Sequence, residues 1–327
     1  MYIAQVYNTL HDWWRYILGV GIVIMGVFAF SMPHVIAIGI ETVNGKIDSS
    51  KLDDTSYLLG LFEPNLNLVF ILLPFAGGLL FLIFTVKYLH KQSIRMLTTT
   101  REKIDWKRIW FAFIFWGIVS SGMVMADYFL NPEGYVYNFK LVPFLILSVL
   151  ALLLVPLQTS FEEYLFRGYL MQGIGLIVKN KWVPLIITSS IFGLMHIANP
   201  EVDKLGHIIL VYYVATGFFL GITTLMDEGL ELSLGFHAAN NLFTALLVTA
   251  DWTAFQTHSI FKDMSDPTEA GVGEIILPVF VIFPILLFIF SKKYKWTNWK
   301  DKIFGRIEKP ILVKEQIVND VSILEEE

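Results

Sequence analysis

The sequence predicts an all-α protein, a polytopic transmembrane helical bundle with about eight spans. Of its 327 residues, 55% are hydrophobic and only 16% are charged, and the mean hydropathy is +0.60. A soluble domain carries about a quarter charged residues, so most of this chain is expected to face lipid. A span needs about 20 apolar residues, and nine segments approach that length. They are 17–40, 66–88, 108–130, 139–157, 160–178, 182–199, 205–226, 230–249 and 275–291.

Charge and cysteine content exclude several classes of function. The net charge of -5 and the pI of 5.8 provide no basic field for nucleic acid, so no nucleic-acid partner is expected. The chain has no cysteine, which excludes disulfides, thiolate metal sites and a cysteine nucleophile.

The distribution of lysine and arginine predicts which connections face the cytoplasm. Seven such residues lie between Lys87 and Arg108, and eight lie between Lys292 and Lys314. Cytoplasmic loops are enriched in these residues, so both clusters are expected on the cytoplasmic side. Both clusters lie on the same side of the membrane only if an even number of spans separates them. If all nine segments crossed the membrane, an odd number would separate the clusters and the rule would be violated.

Three apolar stretches carry polar side chains, which are costly at membrane depth and indicate function. The three groups are Glu162, Glu163 and Arg167; Phe192 and His196; and His237 and Asn241. Residues four apart share a helical face, so Glu163 is expected to pair with Arg167, which leaves Glu162 free. Ser160 and Glu163 also fit a capping box that would open a helix at this point.

A helical hairpin is predicted where 160–178 and 182–199 flank the turn at 179–181. Its two arms bring Glu162 and His196 to similar depths at 1.5 Å per residue, whereas a non-crossing 160–178 would leave them on opposite sides. Accepting the hairpin gives nine crossings, so one apolar segment is expected not to span. Either 275–291 or 139–157 could be that segment, and the choice decides the side on which the site opens.

The motifs Glu-Glu-x-x-x-Arg, Phe-x-x-x-His and His-x-x-x-Asn, in this order, resemble those of the CPBP family, which comprises CAAX proteases and bacteriocin-processing enzymes (Abi). Its members are intramembrane glutamic endopeptidases, and the resemblance covers about 155–250. It implies that Glu162 is the general base that activates water and that His196 assists it. His237 and Asn241 would stabilise the oxyanion.

The same resemblance implies supporting residues and a location. Glu163 and Arg167 would form an internal ion pair, and Phe192 would pack behind His196. We expect residues 1–138 to form a transmembrane region without a recognised counterpart, 139–291 the catalytic core, and 292–327 a charged tail. The expected location is the bacterial plasma membrane, where the lipid bilayer and a membrane-associated or prenylated, CAAX-like protein or peptide would be the partners.

Three alternatives compete with a glutamate-activated water. Glu162, His196 and His237 form a set suitable for zinc, although there is no HExxH motif and Asn241 is a poor zinc ligand. A catalytically silent membrane scaffold or bacteriocin-immunity protein would bind a peptide partner without cleaving it, and it would not need all of these residues together. A transporter would show internal symmetry, which is absent from the sequence.

Overall fold

The computed structural model describes residues 1–51, 54–269 and 271–309, which fold into an α-helical bundle. Its main helices are α1 (Trp13–Val43), α2 (Pro64–Leu89), α3 (Trp106–Leu130), α4 (Leu141–Val178), α5 (Trp182–Leu194), α6 (Ile209–Asp227), α7 (Glu231–Leu247) and α8 (Ile275–Tyr294). In the described part of the chain, six of them are long and apolar enough to cross a membrane, whereas α5 and α7 are shorter. The prediction of an all-α, multi-pass bundle is confirmed.

Short helices and a small sheet lie in the connections. The short helices are Ile3–Asn8, Ser49–Lys51, Thr55–Leu59, Ile94–Thr98, Pro132–Gly134, Pro200–Leu205, Pro267–Glu269 and Trp299–Phe304. The strands are β1 (Tyr135–Tyr137), β2 (Val248–Thr249) and β3 (Phe261–Asp263), in the order β1-β3-β2. β3 pairs antiparallel with β1 and parallel with β2, and Phe261 lies opposite both Tyr137 and Val248. The sheet therefore joins the connections that follow α3 and α7.

Helix α4 corrects the prediction of two separate segments at 139–157 and 160–178. The helix continues through Glu163 into a π-helical turn at Tyr164–Leu170 and ends at Val178. Ser160 and Glu163 therefore do not cap a helix start, and the predicted capping box is wrong. The charges do not interrupt the helix because they are buried inside the bundle, where Glu163 pairs with Arg167 and Glu162 accepts a hydrogen bond from Gln158. Joining the two segments also removes the extra crossing, so neither 139–157 nor 275–291 has to fail to span.

One end of the bundle is formed by the segments 1–12, 90–105, 179–181, 228–230 and 295–309, which we call the basic end. Backbone hydrogen bonds join these segments, from Leu10 N to His90 O at 2.9 Å, from Leu230 N to Thr98 O at 2.8 Å and from Lys181 N to Gly305 O at 3.1 Å. The hairpin turn at 179–181 predicted from the sequence lies here.

The opposite end, which we call the distal end, is formed by 44–51, 54–63, 131–140, 195–208, 248–269 and 271–274. Asn138 N donates to Ile260 O at 2.8 Å, and Glu63 contacts His258 at 2.7 Å. Its lysine and arginine residues are Lys46, Lys51, Lys140, Lys204 and Lys262. The predicted cluster from Lys87 to Arg108 and the part of the second cluster from Lys292 to Lys309 lie at or next to the basic end, and the rest of the predicted charged tail lies outside the described residues. Because cytoplasmic loops are rich in these residues, the basic end is predicted to be cytoplasmic.

Helix α7 occupies the middle of the bundle, where it packs against α3, α4 and α6. Its contact with α3 requires glycine, because a Cβ atom at Gly235 would lie 2.1 Å from the carbonyl oxygen of Ile109. Helices α5 and α6 also approach closely, and a Cβ atom at Gly217 would lie 2.7 Å from Ser189 O. Small residues allow such close packing of membrane helices. Helix α4 packs directly against α7, which brings their polar faces together.

Candidate active site

The centre of α4 holds a fully buried ion pair. Arg167 Nη1 lies 2.9 Å from Glu163 Oε1, and both side chains are 0% exposed. Arg167 Nη2 donates to the carbonyl oxygen of Gly217 at 3.3 Å, and its guanidinium lies 4.1 Å from the centre of the Phe192 ring. The predicted pairing of Glu163 with Arg167 is present, and it anchors α4 to α5 and α6.

His237 of α7 lies between the two glutamates of α4. Its Nδ1 is 2.8 Å from Glu163 Oε1, and its Nε2 is 3.4 Å from Glu162 Oε2. A carboxylate oxygen can only accept, so Nδ1 carries the proton that it donates to Glu163. Nε2 is then directed toward Glu162. Glu163 is thus more than the partner of Arg167, because it also orients the imidazole.

Glu162 is buried, with 8% of its surface exposed, and its two carboxylate oxygens differ in their contacts. Oε1 accepts a hydrogen bond from Gln158 Nε2 at 2.9 Å. Oε2 has no hydrogen-bond partner among the described residues, and its 3.4 Å contact with His237 Nε2 is long for a hydrogen bond. Buried polar atoms ordinarily form hydrogen bonds. Oε2 is therefore available to accept a hydrogen bond from a reacting molecule.

Asn241 is joined to Glu162 through Gln158. Asn241 Nδ2 donates to Gln158 Oε1 at 3.1 Å, and Gln158 lies four residues before Glu162 on the same face of α4. The sequence reasoning missed Gln158. Its signal was a glutamine in an otherwise apolar segment, at helical spacing from a carboxylate.

His196 lies just beyond the C-terminal end of α5 and reaches the other residues through Phe192. Its Nδ1 is 2.8 Å from the carbonyl oxygen of Phe192, which fixes Nδ1 as the donor and leaves Nε2 free to accept. The Phe192 ring centre lies 5.1 Å from that of His196 and 6.0 Å from that of His237. No hydrogen bond joins His196 to Glu162 in the described part of the chain.

One face of the His196 ring is covered by a residue that the sequence reasoning missed. Tyr213 of α6 stacks on it with the ring centres 4.1 Å apart and the planes 17° from parallel. Nothing in the sequence pattern distinguished Tyr213 from the adjacent Tyr212. The imidazole thus contacts aromatic rings on both α5 and α6.

Glu162, Glu163, Arg167 and His237 lie inside the bundle, whereas His196 lies at the start of the distal segment 195–208. His237 is six residues from the start of α7 at the basic end, a rise of about 9 Å. Gly217, which accepts from Arg167, is ten residues from the end of α6, about 15 Å. We call Gln158, Glu162, Glu163, Arg167, His237 and Asn241 the site cluster.

A second buried polar cluster closes the basic end below the site. Its members, the basic-end cluster, are Arg101, Arg108, Asp227, Glu231 and Trp296. Asp227 Oδ1 accepts from Arg108 at 2.5 Å and from Trp296 at 3.0 Å, and Oδ2 accepts from Arg101 at 3.0 Å. Arg101 also lies 3.1 Å from Glu231.

Comparison with known proteins gives two matches that agree with this geometry. The chain is 32% identical over 248 residues to the uncharacterized protein YyaK of Bacillus subtilis, and the alignment covers 74% of this chain and 79% of YyaK. A family model described as type II CAAX prenyl endopeptidase Rce1-like matches residues 138–243. The matched range holds every member of the site cluster.

The chain belongs to the Rce1-like CAAX endopeptidase family. No solved structure matches it. The membership confirms the family that the motifs predicted, and it supports a multi-pass membrane protease that acts on a membrane-associated protein. Because 139–327 comprises 189 residues and the alignment with YyaK spans 248, the similarity to YyaK extends into the first 138 residues.

The zinc alternative stays a prediction for this Rce1-like chain. Among residues 1–51, 54–269 and 271–309, no group of three or more His, Cys, Asp or Glu is arranged to hold a metal ion. Nδ1 of His237 and Nδ1 of His196 both donate to protein oxygens, which leaves each Nε2 free, as in most histidines that bind a metal. Glu162, His196 and His237 would be the residues to hold zinc, which would supply a Lewis acid for the attacking water, whereas the hydrolysis proposed below uses the side chains alone.

Proposed function

We propose that this Rce1-like protein is an intramembrane endopeptidase that hydrolyses a peptide bond with water activated by Glu162. The observation that carries the proposal is the asymmetry of the Glu162 carboxylate, in which Oε1 is held by Gln158 and Oε2 is buried without a hydrogen-bond partner in the described chain. An oriented, unpaired carboxylate oxygen is suited to accept a proton from water. Such general-base catalysis contributes typically about 10² to 10⁴ in rate.

The neighbouring side chains would stabilise the charge that develops on the substrate carbonyl. Asn241 uses one of its two amide hydrogens for Gln158, and the second can donate to an oxyanion. His237 Nε2 lies 3.4 Å from Glu162 Oε2. It can donate a hydrogen bond to the oxyanion when the ring carries a second proton. Donors fixed in a water-poor site are effective at stabilising an oxyanion. His196 Nε2 would assist by accepting a hydrogen bond from the water and so orienting it, while the proton that the water loses passes to Glu162 Oε2.

The proposed substrate is a membrane-associated or prenylated, CAAX-like protein or peptide. The family description supports this class, and the depth of the site, from about 9 Å of helical rise at His237 to about 24 Å at Glu162 from the basic end, suits a peptide carried by a lipid anchor. The proposed location is the bacterial plasma membrane, as expected for a relative of a Bacillus subtilis protein.

The cleavage proposal can be tested before the substrate is identified. Membrane peptides from cells that express the wild-type chain are compared by mass spectrometry with those from cells that express Glu162→Gln at an equal level. We expect shortened products in the wild-type membranes that are absent from the variant. Identical peptide patterns would overturn the proposal and favour the silent scaffold or immunity protein.

The zinc alternative needs a separate measurement. Metal content is determined on the purified protein, and cleavage of a farnesylated, fluorescence-quenched CAAX peptide is measured after strong chelation. The glutamate proposal predicts that cleavage survives. Loss of cleavage after chelation, with recovery on adding zinc, would assign the activation of water to the metal.

The orientation in the membrane can be tested by labelling because the chain has no cysteine. We expect an introduced cysteine at Glu102, which is exposed at the basic end, to react only with a reagent on the cytoplasmic side. A cysteine at Lys204, exposed at the distal end, should react only from the other side. The reverse pattern would contradict the orientation given by the positive-inside rule.

A further inference from the structure

A line of four hydrogen bonds runs from α3 through α7 to the carboxylate of Glu162. Trp116 Nε1 donates to Asn240 Oδ1 at 3.1 Å, and Asn240 Nδ2 donates to Asn241 Oδ1 at 3.2 Å. The line continues from Asn241 Nδ2 to Gln158 Oε1 at 3.1 Å and from Gln158 Nε2 to Glu162 Oε1 at 2.9 Å. Three helices thus contribute to one connected chain.

The chemistry of its two ends fixes the direction of this chain. The indole of Trp116 can only donate, and an ionised Glu162 can only accept. Each of the three amides between them accepts on its oxygen and donates from its nitrogen, so all four donors point toward Glu162. Reversing the amides would leave Trp116 facing a nitrogen donor. The orientation of each amide is therefore determined and does not depend on an arbitrary assignment of its oxygen and nitrogen.

The line of hydrogen bonds is buried, which makes each bond costly to break. Trp116 and Gln158 are each 6% exposed, and a buried polar group that loses its partner is costly. Hydrogen bonds in a line also polarise one another. Breaking one hydrogen bond should therefore alter the other hydrogen bonds of the line, including those several residues away.

We propose that Trp116, Asn240 and Gln158 are positioning residues for hydrolysis by this site. They hold Oε1 of Glu162 and so leave Oε2 directed at the reacting water, and they fix the amide of Asn241 so that its second hydrogen is presented to the substrate. This inference rests on the proposed function of Glu162 and Asn241.

The connection itself is tested by NMR of the full-length protein labelled with ¹⁵N-tryptophan in micelles. The indole resonance of Trp116 is assigned by its disappearance in Trp116→Phe. We expect Gln158→Met, three links away, to shift this resonance by more than its linewidth. The matched control is Gln172→Met, because Gln172 is also buried on α4 and hydrogen-bonded, to Gln92. A Trp116 resonance that does not move in a folded Gln158→Met protein would overturn the inference.

The effect on the reaction is tested with the farnesylated, fluorescence-quenched CAAX peptide. Because a hydrogen bond to a charged group is strong, we expect Gln158→Met to lower kcat roughly tenfold or more, while KM stays within about twofold, as for an interaction that matters in the transition state. Gln172→Met should keep the wild-type kcat. A wild-type kcat in Gln158→Met would contradict the positioning role.

A second variant tests the direction of the chain and covers the case in which Gln158→Met does not fold. Asn240→Asp retains an acceptor for Trp116 but has no amide to donate to Asn241. We expect it to lower kcat as Gln158→Met does, whereas wild-type kcat in Asn240→Asp would show that the residue only anchors Trp116 and would overturn the proposal.

The two proposals can fail separately. If Glu162→Gln cleaves the peptide at the wild-type rate, the proposed function fails, whatever the NMR result. If Glu162→Gln is inactive but neither Gln158→Met nor Asn240→Asp changes kcat, the glutamate mechanism stands and the positioning inference is wrong.

Discussion

The site cluster and the basic-end cluster contain the same kinds of side chain but satisfy them to different extents. In the basic-end cluster, all four carboxylate oxygens of Asp227 and Glu231 accept hydrogen bonds. In the site cluster, Glu162 Oε2, Glu163 Oε2 and Arg167 Nε have no hydrogen-bond partner among the described residues.

This difference separates a structural network from a reactive one. A fully paired buried network makes the fold rigid and specific, whereas unpaired buried groups are costly and tend to be retained for function. The basic-end cluster joins the loop at 90–105 to α6 and α7, and it lies where the chain meets water. The site cluster lies deeper, where an unpaired carboxylate costs more.

Glu163 belongs to the reactive site and also stabilises the fold through Arg167, so its substitution should have the largest effect on cleavage and stability. Glu163→Gln removes the charge that holds the Nδ1 proton of His237 and that neutralises the buried Arg167. We expect peptide cleavage to fall by about a hundredfold or more and the free energy of unfolding to fall by about 3 to 5 kcal/mol. Activity per folded molecule and unfolding in mixed detergent micelles measure the two losses. A stable and active variant would show that Glu163 neither supports cleavage through His237 nor stabilises the fold through Arg167.

Breaking the basic-end cluster should affect stability alone. Arg101→Met removes the partner of both Asp227 and Glu231, so the free energy of unfolding should fall by up to about 3 kcal/mol, less than for a fully buried pair because Arg101 is 25% exposed. The kcat of the folded protein should remain within about twofold. Lys103→Met, an exposed change in the same loop, is the control and should alter neither quantity. Inactivation of folded Arg101→Met would contradict a purely structural role.

The sequence predicted the composition of the site better than its geometry. The bundle follows from the hydrophobic segments and the Glu163–Arg167 pair from residues four apart on one helical face, whereas the approach of His237 to Glu162 was implied by the family resemblance. The continuity of α4 could not be predicted, because a segment with three charges reads as an interruption unless their burial against α6 and α7 is known. Gln158 and Tyr213 act through contacts between helices, which leave no periodic signal in one sequence.

The stacking of Tyr213 on His196 should have a moderate effect on the reaction. Tyr213→Ala frees one face of the imidazole, and the loss of an aromatic pair worth about 0.5 to 1.5 kcal/mol should lower kcat by roughly two- to tenfold. Tyr213→Phe keeps the ring and should retain the wild-type rate. Equal losses in both variants would assign the role to the hydroxyl group instead of the ring.

The smallest effect is expected at Glu201, which ties the distal segment 195–208 to the backbone N–H of Ala254 at 2.9 Å. Burial raises the pKa of the Glu201 carboxyl above its ordinary value of 4.5, and the hydrogen bond from Ala254 opposes this shift. Between the ordinary and the raised pKa, the folded state binds more protons than the unfolded state, so stability falls as pH rises.

Glu201→Gln should remove that pH dependence. Its melting temperature should slightly exceed that of the wild type at neutral pH, and the advantage should vanish below pH 4.5. A scan of melting temperature against pH for both proteins makes the comparison. An advantage that is the same at every pH would show that ionisation of Glu201 is not its cause.

The most direct measurement compares Glu162→Gln with Glu231→Gln, one glutamate from each cluster, for both cleavage and melting temperature. Glu162→Gln should lose cleavage by at least about a hundredfold and keep or raise its melting temperature, since it removes a charge whose Oε2 is unpaired. Glu231→Gln should melt lower, and its folded fraction should cleave at the wild-type rate. Wild-type cleavage by Glu162→Gln, or inactivity of folded Glu231→Gln, would contradict the division between a reactive and a structural cluster.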